Sequence, residues 1–314
     1  MQANLKLKGM VITLFVFITI IATGCGSDTT KSHKAKLPLK IYTTIAPLAD
    51  FTSMIGGKDV EVESILPPGA DAHTFEPTSK EVVHIAKADA FIYNGLGMES
   101  YAEKISDSLE HENVAVVEAS KHVKVMKEKE HDHDADGHNH GDMDPHIWLD
   151  PVRAITMADN IKHALIKIHP ESEKTYEKNF QTLKAKLQNL DKDFQKLAAT
   201  KHHPEMIVSH AAYGYWQSRY GIEQIPIAGL SPSEEPAQKD LKNIISLAKK
   251  EHIKYVIFEQ NVTPKVAEII RKEIKAEPLH IHNLAVLTDQ EIADGEDYFS
   301  LMHKNLQTLD KALR

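Results

Sequence analysis

The chain has 314 residues, 42% of them hydrophobic, which is more than one core ordinarily holds and enough to fill two. A formal charge of −8 at neutral pH argues against nucleic acid as a partner, since there is no basic excess to neutralise phosphates. The single cysteine, Cys25, excludes an internal disulfide.

Residues 1–24 read as a signal peptide. Lys6 and Lys8 precede an apolar run from Met10 to Ala22 that is too short to span a bilayer, which needs about 20 residues. Ala22-Thr23-Gly24 directly before Cys25 reads as a bacterial lipobox, with Cys25 acylated and becoming the mature amino terminus. The alternative is an ordinary cleavage site that happens to contain a cysteine. On the lipobox reading, residues 25–36 are a polar tether on a lipid anchor at the outer face of the cell membrane, with no transmembrane helix.

From Leu39 onward, β-like and helical runs alternate. Strands are expected at Leu39 to Thr44, Val60 to Leu66, Ala90 to Tyr93 and Val114 to Val117, all rich in Val, Ile and Tyr. Thr78-Ser-Lys-Glu81 is a capping box ahead of a helix. Asp150 and Pro151 supply an N-cap and a first helical residue for a helix running to Ile168. Glu171 to Ala199 reads as one long helix, with Tyr176, Phe180, Leu183, Leu187, Leu190, Phe194 and Leu197 three or four residues apart. Strands follow at Met206 to Ser209, Ile222 to Ile227, Tyr255 to Glu259 and Leu279 to Ile281, again separated by helical stretches. The order predicts an α/β fold of two pseudo-symmetric βα lobes with parallel sheets. Their expected extents are 37–169, including a His/Asp-rich loop at 121–144, and 201–314, joined by a connecting helix over 170–200.

Histidines concentrate in two settings. His131, His133, His138 and His140 lie in a tract interleaved with aspartates and without an apolar anchor, which suits a low-affinity collector of divalent transition metal. His146 instead sits between Pro145 and the apolar Ile147-Trp148-Leu149. Together with His73, after the second strand, and His210, at the end of the fifth, it falls where open parallel sheets bind ligands, at strand carboxyl ends. His280 and His282 alternate along a strand near that region, and either could approach a metal there. Glu76 is a candidate to orient His73.

Five segments, Pro68-Gly-Ala-Asp-Ala-His-Thr-Phe-Glu-Pro77, Asn94-Gly-Leu-Gly-Met-Glu99, Asp144-Pro-His-Ile-Trp-Leu-Asp-Pro151, Ser209-His-Ala-Ala-Tyr-Gly-Tyr215 and Phe258-Glu-Gln-Asn-Val262, occur in this order. Through them the chain resembles the zinc- and manganese-binding lipoproteins that serve ATP-binding-cassette importers. The resemblance covers essentially the whole mature chain. It implies a metal held between two lobes by His73, His146 and His210, with an importer permease and ATPase as partners and a monomeric protein. Three imidazoles suit Zn(II) better than manganese, which prefers oxygen ligands. Alignment through Leu287-Thr288 and Asp297-Tyr298-Phe299 puts Ala285 where many members carry a fourth, carboxylate ligand. The expected function is therefore capture of Zn(II) and its delivery to an importer, with no catalysis. A zinc hydrolase using the same three histidines, or a manganese-binding or adhesin member of the family, are the alternatives.

Overall fold

The computed structural model describes residues 36–126, 143–202, 204–234, 236–260 and 264–313. The Cys25 and His131 to His140 readings fall outside them. Four strands, β1 (Leu39–Thr43), β2 (Val60–Ser64), β3 (Ala90–Tyr93) and β4 (Ala115–Glu118), form a parallel sheet in the order β2-β1-β3-β4. Four more, β5 (Glu205–Val208), β6 (Glu223–Pro226), β7 (Tyr255–Glu259) and β8 (Glu277–Ile281), repeat that order as β6-β5-β7-β8. The two-sheet α/β class read from the alternation is the class observed.

Alternation along each central strand divides the apolar side chains between cores, because successive residues face opposite sides of a sheet. In the first sheet Leu39, Ile41, Ala90 and Ile92 enter the large central core, while Tyr42, Phe91 and Tyr93 enter a satellite on the other face. In the second, Met206, Val208 and Ile257 join the same central core, and Ile207, Val256 and Phe258 fill a third cluster. One continuous core therefore runs between the two sheets.

That core is threaded by the long helix. Helix α1 (Ala46–Gly56), α2 (Ser79–Ile85), α3 (Ala102–Ser108) and α4 (Pro151–Ile168) belong to the first half, followed by α5 (Glu173–Ala199). At 1.5 Å per residue, α5 is about 40 Å long, and it buries Tyr176, Phe180, Leu183, Leu187, Leu190 and Phe194 on one stripe. It packs against α1 and α4 on one side. On the other it meets α6 (Gly214–Tyr220) and, beyond α7 (Gln238–Lys250), α8 (Lys265–Glu273) and α9 (Asp289–Ala293), the terminal α10 (Tyr298–Ala312). The helix starts two residues later than the sequence pattern suggests, since Pro170–Ser172 form a separate 3-10 turn. Proline in the first turn accounts for the break, as it lacks the amide needed to continue from α4. The predicted Asp150 cap is present: its carboxylate accepts from the Val152 and Arg153 amides at 2.8 and 3.3 Å. So is the Thr78/Glu81 capping box. No helix among the described residues is long and apolar enough to cross a membrane.

Candidate metal centre

Each sheet delivers its chemistry from the carboxyl ends of its strands. After β2 the chain turns through Pro67-Pro68-Gly69, with Gly69 at φ +73°, a conformation open to glycine, and carries His73 back toward the cleft. The His73 amide donates to Asp71 Oδ1 at 2.9 Å, fixing the loop. Glu76 does not take the orienting role read from the sequence: its exposed carboxylate accepts from Ser100 Oγ at 3.1 Å.

His146 lies in the loop between β4 and α4, and that loop is fixed from several sides. Its Ile147, Trp148 and Leu149 are buried in the central core. The Tyr215 hydroxyl donates to the Asp144 carbonyl at 2.6 Å, and the Trp216 indole to the Leu149 carbonyl at 2.7 Å. Tyr298 donates to the Trp148 carbonyl, and the Trp148 indole to the Asn283 carbonyl, each at 2.7 Å. The donors Tyr215, Trp216 and Tyr298 and the acceptor Asn283 all come from the second half of the chain, so the loop carrying His146 is pinned across the cleft.

His210 follows β5 and packs against Glu259, the last residue of the neighbouring β7. Sheet order makes this possible, because β5 and β7 are adjacent and point the same way.

The three rings converge. His73 Nε2 and His146 Nε2 are 3.3 Å apart, and one nitrogen from each of the three histidines lies within 4.8 Å of the others. Ring centroids are separated by 5.3 to 5.9 Å. In each of the two buried rings the far nitrogen meets a carboxylate. His146 Nδ1 is 2.9 Å from Asp144 Oδ1, and His210 Nδ1 is in close contact with Glu259 Oε1. A carboxylate at Nδ1 keeps the proton there and leaves the Nε2 lone pair facing the cluster. Both His210 nitrogens are buried, Nδ1 against Glu259 and Nε2 without a hydrogen-bond partner among the described residues.

Electrostatics favour a neutral His73. Burial first, then the neighbouring His146 and His210, push His73 down to about 3 from the ordinary imidazole value near 6.5. Burial alone would raise the Glu259 carboxyl, but His210, with help from His146 and Asn283, outweighs it and holds Glu259 below the usual range.

Glu259, within Phe258-Glu-Gln-Asn-Val262, has no role assigned by the sequence alone. An acidic residue closing the apolar run Tyr255-Val-Ile-Phe-Glu259 at a strand end is the signal that was there to read. Its Oε1 faces His210 and lies 3.4 Å from the Tyr213 hydroxyl, and its Oε2 accepts from Asn283 Nδ2 at 2.6 Å. His282 is not brought to the cluster as a donor. Its Nδ1 accepts from the Leu284 amide at 2.8 Å and its Nε2 lies 3.3 Å from Glu291 Oε2, so both nitrogens are in use. His280 is exposed on β8 beside Phe258. Ala285, with His73, Glu259 and Asn283, lines a cavity of about 30 Å³ at the edge of the cluster.

Paired parallel sheets of identical order, with three histidines meeting where they face each other, define a two-lobed α/β protein of the solute-binding kind. The chain belongs to the ZnuA family, described as the periplasmic component A of the zinc-uptake complex, whose model matches residues 41–312. It is 35% identical over 314 residues to the high-affinity zinc uptake system protein ZnuA of Bacillus subtilis, covering 98% of both chains. It is 36% identical over 292 residues to the zinc-binding protein AdcA of Streptococcus pyogenes, covering 89% of this chain and 57% of that one. The chain thus spans little more than half the length of the AdcA relatives. Among solved structures, the Zn(II)-bound ZnuA-like domain of Streptococcus pneumoniae AdcA matches at a TM-score of 0.74 and 32% identity, over 88% of this chain and 98% of that one. The laminin-binding adhesin Lmb of Streptococcus agalactiae matches at 0.78 and 28%, over 88% and 100%.

Proposed function

We propose that this protein captures Zn(II) outside the cytoplasm through His73, His146 and His210 and hands it to an ATP-binding-cassette importer. The observation that carries the reading is the cluster itself. In tetrahedral zinc, bonds of about 2.0 to 2.1 Å put neighbouring ligand atoms about 3.3 Å apart, and that is the spacing of the His73 and His146 nitrogens. Nitrogen ligands favour zinc over manganese, and the zinc-uptake and zinc-binding names of the relatives point the same way. Binding rather than catalysis fits the carboxylates beside the cluster, since Asp144 and Glu259 are engaged in holding rings.

The test is metal analysis of the protein purified without added metal, followed by zinc titration of the parent chain and of His146→Ala. One tightly held equivalent that the variant loses supports the reading, and equal binding by both overturns it. A peptidase or esterase screen of the zinc-loaded protein that finds turnover would overturn the non-enzymatic part.

The same reading extends to the flanking segments. Residues 1–24 are the export signal, and Cys25 carries a lipid that holds a monomer at the outer face of the cell membrane through the tether 25–36. Residues 37–169 and 201–314 form the lobes and 170–200 the connector. His131, His133, His138 and His140 gather metal at low affinity. Cys25→Ser is expected to move the protein to the soluble or secreted fraction. Deleting residues 131–142 is expected to lower the number of zinc ions bound and leave the tightest dissociation constant unchanged.

A further inference from the structure

The segment Asn94-Gly-Leu-Gly-Met-Glu99 supplies no metal donor, yet its backbone is the most unusual in the described chain. Gly95, Leu96 and Gly97 take φ values of +87°, +59° and +75° in succession. A left-handed conformation is disfavoured for a residue with a Cβ, so Leu96 is strained. At Gly95 a Cβ would also stand 2.7 Å from Glu118 Oε1 and from Ser120 Oγ. Strain of this kind persists only where surrounding contacts impose it.

The contacts that impose it converge on Glu99, which is buried, with 3% of its surface exposed. Its Oε1 accepts from the Asn94 amide at 2.9 Å and from the Thr44 hydroxyl, and its Oε2 accepts from the Gly95 amide at 3.1 Å. The Glu99 carboxyl group thus clamps the first two residues of the turn. The turn in turn aims the fully buried Asn94 side chain, whose Nδ2 donates to the Gly95 carbonyl and to the Pro145 carbonyl, each at 3.0 Å. Pro145 immediately precedes His146. Its carbonyl also accepts from the Ile147 amide at 2.8 Å, so both its lone pairs are used. Holding that carbonyl fixes the peptide plane from which His146 is hung, with φ −78° and ψ 39°.

We infer that Glu99 and Asn94 are positioning residues for the metal centre, acting through the Pro145 carbonyl to set where His146 presents Nε2. The inference rests on the three-histidine reading above. It assigns the strained turn a purpose: Asn94, at a strand end in the first sheet, is coupled to a loop 51 residues further along the chain, one residue before the ligand His146, by contacts that never touch the metal. Ligand placement must hold to within about 0.5 Å for a productive site, and supporting groups of this kind commonly govern affinity by about 10 to 100-fold.

The experiment compares the full chain with Glu99→Gln, Asn94→Ala, the double variant and His146→Ala. The readouts are zinc affinity by chelator competition, the visible spectrum of the Co(II)-loaded protein, and thermal stability without metal. Glu99→Gln keeps the shape but turns an acceptor facing the Gly95 amide, or the Asn94 amide, into a donor. Each single variant is expected to weaken zinc binding about tenfold or more and to shift the Co(II) bands. The double variant should lose no more than the worse single, because the two act in series. Unchanged affinity and an unchanged Co(II) spectrum, whatever happens to thermal stability, would overturn the inference, as would additive losses. Should Glu99→Gln fail to fold, Asn94→Ala decides alone, since its backbone amide still reaches Glu99. If His146→Ala binds zinc like the parent, the three-histidine reading has failed instead.

Discussion

His73 Nε2 and His146 Nε2 stand 3.3 Å apart although 73 residues separate them in the chain. Bringing them together leaves His73 partly buried against two other imidazoles, and its protonated form is disfavoured down to about pH 3. An unfolded histidine titrates near 6.5. Above that pH neither state binds the proton, so the group contributes no pH dependence. Below it the unfolded chain gains a proton that the folded one refuses, and stability falls as pH drops from about 6.5 toward 3, at up to about 1.4 kcal/mol per unit. Denaturant unfolding of the metal-free protein between about pH 7.5 and 4.5 checks this. His73→Gln is expected to flatten the slope by one proton, and equal slopes would contradict the burial argument.

Asp50 predicts a dependence of opposite sense. It lies on α1 and accepts from the Tyr298 amide at the start of α10 at 2.7 Å, joining the two halves of the molecule. Burial chiefly, and Asp297 nearby, raise its carboxyl to about 7 despite that hydrogen bond. Between about pH 4 and 7 the unfolded carboxylate is ionised while the folded one resists, so this group erodes stability as pH rises. Asp50→Asn is expected to stabilise the protein by on the order of 2 kcal/mol at pH 8 and to have little effect near pH 4. A variant no more stable than the parent at pH 8 would refute the assignment.

What the sequence made legible was whatever depends on local pattern. The α5 stripe, the Asp150 cap and the Thr78 capping box each follow from spacings of three or four residues, and all are present. His73, His146 and His210 are legible because the first and last follow strands and the second precedes a helix, each within a distinctive run. What stayed hidden are the contacts that cross the cleft. Trp148 and Asn283 are 135 residues apart, and nothing near either residue advertises the other. Glu259 was likewise invisible as a partner of His210, because the adjacency of β5 and β7 skips β6 in the chain. Glu76 shows the converse: it is near His73 in sequence, but its exposed carboxylate accepts from Ser100.

The Trp148 to Asn283 bond should matter to both stability and binding. Trp148→Phe keeps an aromatic ring but removes the indole N–H and leaves a small cavity, so the Asn283 carbonyl loses its donor at a cost of about 1–3 kcal/mol, with a further cost for the cavity. Asn283 also donates to Glu259, which holds His210, so weaker zinc binding should accompany the loss. Denaturant unfolding and zinc titration of the same preparation test both halves. A variant that is destabilised with unchanged affinity would show that the bond fastens the halves without tuning the centre.

The last expectation concerns the fourth position on the metal. Ala285 offers only a methyl group, His282 has both nitrogens engaged, and His280 is exposed. Both oxygens of Glu259 are committed to His210, Tyr213 and Asn283. The cavity of about 30 Å³ beside His73 and Ala285 has room for water, which needs about 10–15 Å³ measured by a water-sized sphere. A water ligand also orders no chain. Zinc at one equivalent is therefore expected to show three imidazoles and one water oxygen by X-ray absorption. His282→Gln should leave that count unchanged, and Ala285→Asp, by adding a carboxylate at the cavity wall, should tighten binding. Four imidazoles that fall to three when residues 131–142 are deleted would show instead that the tract closes the site, and the distinction between collector and binding centre would have to be given up.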